Sequence, residues 1–139
     1  MSIFKRLLFL SFSILFAFVY SLSASAQNAS YPGTDKPEAS LPSPKRYCLL
    51  SQGLSSGWKA ELAGGTVGKW YCEWEVDGTV VKKFSSEFTP SDYNFNKAKT
   101  YTIKLTAVNS SEDGGKGEVY YSNSFEGSLT VYANEVSLE

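Results

Sequence analysis

The chain has 139 residues, with 13 Lys and Arg against 14 Asp and Glu, two Cys and no His. The lack of His removes the commonest general base and the commonest transition-metal ligand together. A near-neutral charge also lacks the clustered basic surface that nucleic acid requires, so no nucleic-acid partner is expected.

Residues 1–26 differ in composition from the rest. Lys5 and Arg6 precede an apolar run from Leu7 to Tyr20, and Ala24-Ser25-Ala26 offers small residues where a signal peptidase reads. This pattern predicts a secretory signal peptide cleaved after Ala26, and a periplasmic or secreted protein. The run is shorter than the roughly 20 residues that span a bilayer, so no membrane insertion is expected after cleavage. Removing residues 1–26 leaves 113 residues, enough for one modest domain. Taking Lys5 and Arg6 from the basic count leaves 11 against 14 acidic residues, a net charge near −3.

From Gln27 to Lys45 the text is QNASYPGTDKPEASLPSPK, holding four of the five prolines. That composition predicts a flexible Pro/Ser-rich leader over residues 27–45, with the folded domain at residues 46–139. Cys48 and Cys72 both fall in the exported part, where oxidising conditions favour a disulfide. Such a bridge would remove about 3 to 4 kcal/mol of unfolded-chain entropy. Two buried free thiols or an intermolecular bridge are the alternatives, and two thiols without His make only half a zinc site.

Beyond Arg46, short segments with a two-residue period recur between turn formers, and no helical period extends past about two turns. The predicted strands are Arg46–Ser51, Trp58–Leu62, Lys69–Val76, Thr79–Phe84, Glu87–Thr89, Thr100–Val108, Val119–Asn123 and Leu129–Ala133. Seven or eight strands without helices predict an all-β, antiparallel sandwich. In WYCEWEVDG, Trp70, Cys72, Trp74 and Val76 share one face and Tyr71, Glu73 and Glu75 the other, with Asp77-Gly78 turning the chain into the next strand. Glu73 and Glu75 sit together on a solvated face, without the opposed environments that an acid and a base need. In KTYTIKLTAVN, Tyr101, Ile103, Leu105 and Ala107 point inward and a Thr-rich face points out. Trp74, Tyr101, Ile103 and Leu105 are the expected core.

These two segments, with Glu87-Phe88-Thr89-Pro90 and Leu129-Thr130-Val131, resemble an immunoglobulin-like module, most closely the bacterial PKD type, across about Arg46 to Ala133. The resemblance implies an Ig-like/PKD-like β-sandwich in which Trp74 packs between the sheets and the Tyr101 hydroxyl bonds back to the backbone. It implies a fold and no activity. The segment from Asn109 to Asn123 is longer than a simple hairpin loop and predicts an added strand pair or a projecting arm.

No Ser, Lys or Cys stands in a recognisable catalytic setting and no phosphate-binding loop is present, so no enzyme, catalytic residue or cofactor is expected. Glu112 and Asp113 lack the alternating oxygen ligands of a calcium loop, so no metal is expected. Aromatic residues make up 15 % of the chain, more than a core of this size holds. Trp58, Tyr71, Tyr93, Tyr120 and Tyr121 are the candidate binding aromatics. The expected function is an exported, non-enzymatic module that makes protein contacts at the cell envelope or outside the cell. The alternative is a carbohydrate-binding module that uses exposed Tyr and Trp. The partner is another protein or a glycan.

Overall fold

The computed structural model describes residues 30–133, so the expected signal peptide lies outside them. Nine strands follow in order: β1 (Glu38–Ser40), β2 (Lys45–Leu49), β3 (Trp58–Lys59), β4 (Glu61–Ala63), β5 (Lys69–Val76), β6 (Thr79–Lys83), β7 (Glu87–Phe88), β8 (Thr100–Glu112) and β9 (Lys116–Tyr132). Among the described residues, two single-turn 3-10 segments, Pro90–Asp92 and Asp113–Gly115, interrupt them. Five strands form one sheet in the order β2-β9-β8-β5-β6, while β1-β4 and β3-β7 form two short ladders. The fold is all-β, as expected, but the large sheet is mixed, because β2 runs parallel to β9. Most of the domain lies between these two strands in sequence, so no short hairpin forces the antiparallel sense.

The centre of the sheet follows from alternation. Along β5 and β8, Cys72 faces Ala107, Trp74 faces Leu105 and Val76 faces Ile103 across the antiparallel ladder. All six are buried, with Trp74, Ile103 and Leu105 at 0 % exposure. They pack with Tyr101, Leu129 and Val131 against Trp58, Ala60, Phe88 and Leu41 from the segments of the short ladders. Asp77 (φ 48°) and Gly78 (φ 82°) close the β5–β6 hairpin with two left-handed residues, the requirement of a type I′ turn. The Asp77 carboxylate then accepts from Lys99 Nζ at 2.7 Å and Thr102 N at 2.9 Å, tying this turn to the start of β8. Those two donors, Lys99 foremost, hold its pKa below the ordinary aspartate value.

Residues 30–45, expected as a flexible leader, are instead part of the domain. Pro37 and Leu41 are buried and Ala39 packs against the core, a two-residue period set among the prolines. The prolines cost backbone donors only at their own positions, and β1 pairs through Glu38, Ala39 and Ser40 with Ala63, Leu62 and Glu61. Upstream, the Tyr31 hydroxyl donates to Asp35 at 2.8 Å and accepts from Val67 N at 2.9 Å. Asp35 accepts from Thr66 N at 2.9 Å and Thr66 Oγ1 at 2.6 Å. The folded unit therefore reaches back to about Tyr31.

The expected Cys48–Cys72 disulfide is also corrected, since both are free thiols. Cys48 on β2 faces Val131, and Cys72 on β5 faces Ala107. With β9 and β8 between them, three inter-strand steps of about 4.8 Å each separate the two. A disulfide needs Cα atoms within about 7 Å. Counting cysteines cannot detect that both strands enter one sheet at positions that never touch. Burial pushes the Cys72 thiol up to about 11 and raises Cys48 as well, so both stay protonated and poorly nucleophilic.

The segment from Asn109 to Asn123 forms neither a separate strand pair nor a loose arm. It continues β8 and β9 as one long hairpin closed by Asp113-Gly114-Gly115. A register shift between Asn109 and Ser110 buries both side chains, and Asn109 Nδ2 donates to the Gly65 carbonyl at 3.1 Å. The predicted strands Val119–Asn123 and Leu129–Ala133 merge because Gly127 is no turn. It pairs with Ile103 inside the ladder, where its missing side chain lets the Pro44 carbonyl approach.

Candidate functional site

Four of the five candidate aromatics serve packing. Trp58 is only 1 % exposed, donates Nε1–H to the Pro44 carbonyl at 3.2 Å and meets Phe88 edge-on at 5.6 Å, so it is closed to a ligand. Tyr121 packs on Trp70 at 5.6 Å, and its hydroxyl donates to the Ala39 carbonyl at 3.4 Å, holding β1 in place. Tyr120 meets Tyr31 edge-on at 5.4 Å. Tyr93 packs on Phe95 at 4.9 Å and on Tyr101 at 6.0 Å, while also lining an open cleft. Tyr71 remains, half-buried on the outer face of the large sheet.

Beside Tyr71 lies the residue that alternation misplaces, Phe84. Lys83 pairs with Glu73 on the outer face, so strict alternation would send Phe84 to the core. Its φ of 62° turns it outward instead, leaving it 72 % exposed. A left-handed backbone costs a bulky residue about 1 to 2 kcal/mol, and the fold meets that cost through the Phe84 N–H donated to the Cys72 carbonyl at 2.8 Å. The Phe84 ring stands edge-on to Tyr71 with centroids 4.9 Å apart. No sequence signal marks this conformation, since Phe is among the residues most often buried.

Tyr71, Phe84, Lys83, Asp113, Gly114 and Lys116 line an open cleft of about 340 Å³. Gly114 and Gly115, both at φ 73°, fold the hairpin tip over it, and Gly115 comes close to the Tyr71 and Val108 side chains. The Tyr71 hydroxyl donates to Glu73 at 2.7 Å. Burial first, and the Glu73 carboxylate second, push its pKa up to about 12, so it remains a neutral donor. Asp113 is taken by Lys69 at 3.3 Å. Among the described residues Lys83 and Lys116 form no ion pair. The cleft thus presents one exposed aromatic ring between two uncommitted cations.

The Tyr93 cleft lies between the loop after β2 and the loop before β8, and measures about 410 Å³. Its outer wall is fixed from behind by Tyr101, whose hydroxyl accepts from Lys97 N at 3.1 Å and donates to the Lys97 carbonyl at 3.3 Å. In the 3-10 turn that precedes Tyr93, the Asp92 carboxylate accepts from Lys82 at 2.7 Å and Thr89 N at 2.6 Å. Burial pushes Asp92 upward, but these donors outweigh it and hold its pKa below the ordinary value. No protein-family model, curated protein or solved structure matches this chain.

Proposed function

We propose that this chain is an exported, non-enzymatic Ig-like/PKD-like module that works by contact with another protein through the Tyr71–Phe84 cleft. The Ig-like reading is supported by Trp74 at the centre of the core, by the Tyr101 hydroxyl bonded back to the Lys97 backbone, and by the pairing of β2 with the last strand. Export rests on the sequence of residues 1–26.

The observation that carries the contact reading is Phe84. A large apolar ring held outward by a strained backbone, with a second ring against its edge, has the composition of an interface anchor. Lys83 and Lys116 add charge that selects an acidic partner surface and steers its approach. The partner is therefore a protein that inserts an apolar side chain beside one or more carboxylates.

Site-specific photo-cross-linking in the native host tests this. A photoreactive residue in place of Lys83 or Lys116 should trap one protein in common, and the same group in place of Glu61, on the opposite layer, should not. Identical patterns from all three positions would overturn the assignment.

A further inference from the structure

We infer that the cleft between Leu50–Leu54 and Tyr93–Asn96 binds a neutral saccharide chain. It is separate from the Tyr71–Phe84 contact, and either reading can fail alone. None of the side chains lining this cleft is charged, so an anionic ligand would find no cation and a cationic one no carboxylate. Its volume of about 410 Å³ falls in the range of about 300 to 1,000 Å³ typical of small-ligand sites.

The wall carries two kinds of group. Tyr93 and Phe95 supply aromatic surface, suited to the apolar C–H face of a pyranose. Asn94 and Asn96 alternate with them and are exposed, and among the described residues neither side chain donates or accepts an internal hydrogen bond. The hydrogen bond from Asn96 N to the Asn94 carbonyl closes a three-residue turn, which holds these two residues closer than an extended chain would, and both line the same cleft. Each amide offers paired donors and an acceptor, and each sugar hydroxyl both donates and accepts. A purely apolar occupant would desolvate both amides without replacing their hydrogen bonds.

The site is also ordered before any ligand arrives. Tyr93 packs on Phe95 at 4.9 Å, Phe95 on Tyr101 at 5.0 Å, and Tyr101 fixes Lys97 from both sides. Asn96 N donates to the Asn94 carbonyl at 3.1 Å, setting the bend between the two amides. Little loop entropy remains to be lost on binding.

The test titrates the mature chain with cello-, xylo-, manno- and maltohexaose, with an oligogalacturonate of equal length as the anionic control, following the Asn side-chain amide signals by NMR. At least one neutral chain should shift the Asn94 and Asn96 signals and bind at least about tenfold tighter than the oligogalacturonate. Asn94→Ala and Asn96→Ala should each weaken it about tenfold or more at unchanged melting temperature, while Lys83→Glu leaves it unchanged. The inference is overturned if no neutral chain shifts these signals up to about 10 mM, if affinity survives the double Asn variant, if the anionic control binds equally well, or if a protein and no saccharide occupies the cleft.

Discussion

At the scale of single residues, Phe84 and Trp74 are both large aromatics with opposite relations to stability. Trp74 is fully buried and donates Nε1–H to the Ser85 carbonyl at 2.9 Å, so Trp74→Ala should cost about 3 to 5 kcal/mol. Phe84 is exposed and left-handed, and Asn tolerates that backbone better than Phe. Phe84→Asn should leave stability unchanged or raise it by up to about 1 kcal/mol, while removing the partner contact. Chemical denaturation of the two variants checks this pair, and a Phe84→Asn loss comparable to that of Trp74→Ala would mean that the ring belongs to the core. Residues kept in a costly conformation without benefit to folding are those for which a function has to be sought.

At the scale of elements, the segment from Tyr31 to Leu41 is where sequence and structure part most widely. Deleting residues up to Pro44 removes β1, the buried Leu41 and Pro37, and the cover over Tyr121. Burial of one Leu alone is worth about 1.5 to 3 kcal/mol, so the melting temperature should fall by at least about 10 °C. A truncated chain that melts with the mature protein would restore the flexible-leader view. The Asp35 tie gives a second check, because hydrogen bonds from Thr66 first, then from Tyr31, lower its pKa to about 2. A folded pKa below the unfolded value means that the tie contributes fully above about pH 4 and is lost as pH falls toward 2. The Thr66 amide signal should accordingly titrate with a midpoint near 2, and a midpoint at the ordinary value of 3.8 would show the tie to be absent.

What could be read from the sequence depended on local periodicity. The faces of β5 and β8 were legible because Trp70 to Val76 and Tyr101 to Ala107 alternate without interruption, and Asp77-Gly78 allows one turn. Three features were not. The Trp58–Leu62 segment divides after Ala60: the Ala60 N–H bond to the Ser86 carbonyl at 2.8 Å extends the β3–β7 register, whereas Glu61 opposes Ser40 and begins the β4–β1 pairing. Gly127 reads as a turn, yet it sits mid-strand for a reason that lies in distant Pro44. The register shift between Trp74 and Glu75 in the β5–β6 ladder, followed by the left-handed Phe84, defeats parity counting along β6. The candidate site was therefore legible in Tyr71 and Tyr93 and hidden in Phe84, Asn94 and Asn96, whose exposure is set by tertiary packing.

At the scale of the whole molecule, one core is enclosed by the five-stranded sheet and two short ladders, with the Phe84 cleft and the Tyr93 cleft built from different loops. Two protonated free thiols mean that stability comes from packing and ladder pairing, with no covalent cross-link. The role proposed for the Phe84 cleft is contact with another protein. Isothermal titration of the cross-linked partner, once purified, against the wild-type module and its variants tests this most directly. Phe84→Ser should weaken binding about thirtyfold or more, equivalent to about 2 kcal/mol, Lys83→Glu should also weaken it, and Asn94→Ala should not. Binding by Phe84→Ser within about twofold of wild type, at unchanged fold, would contradict that role.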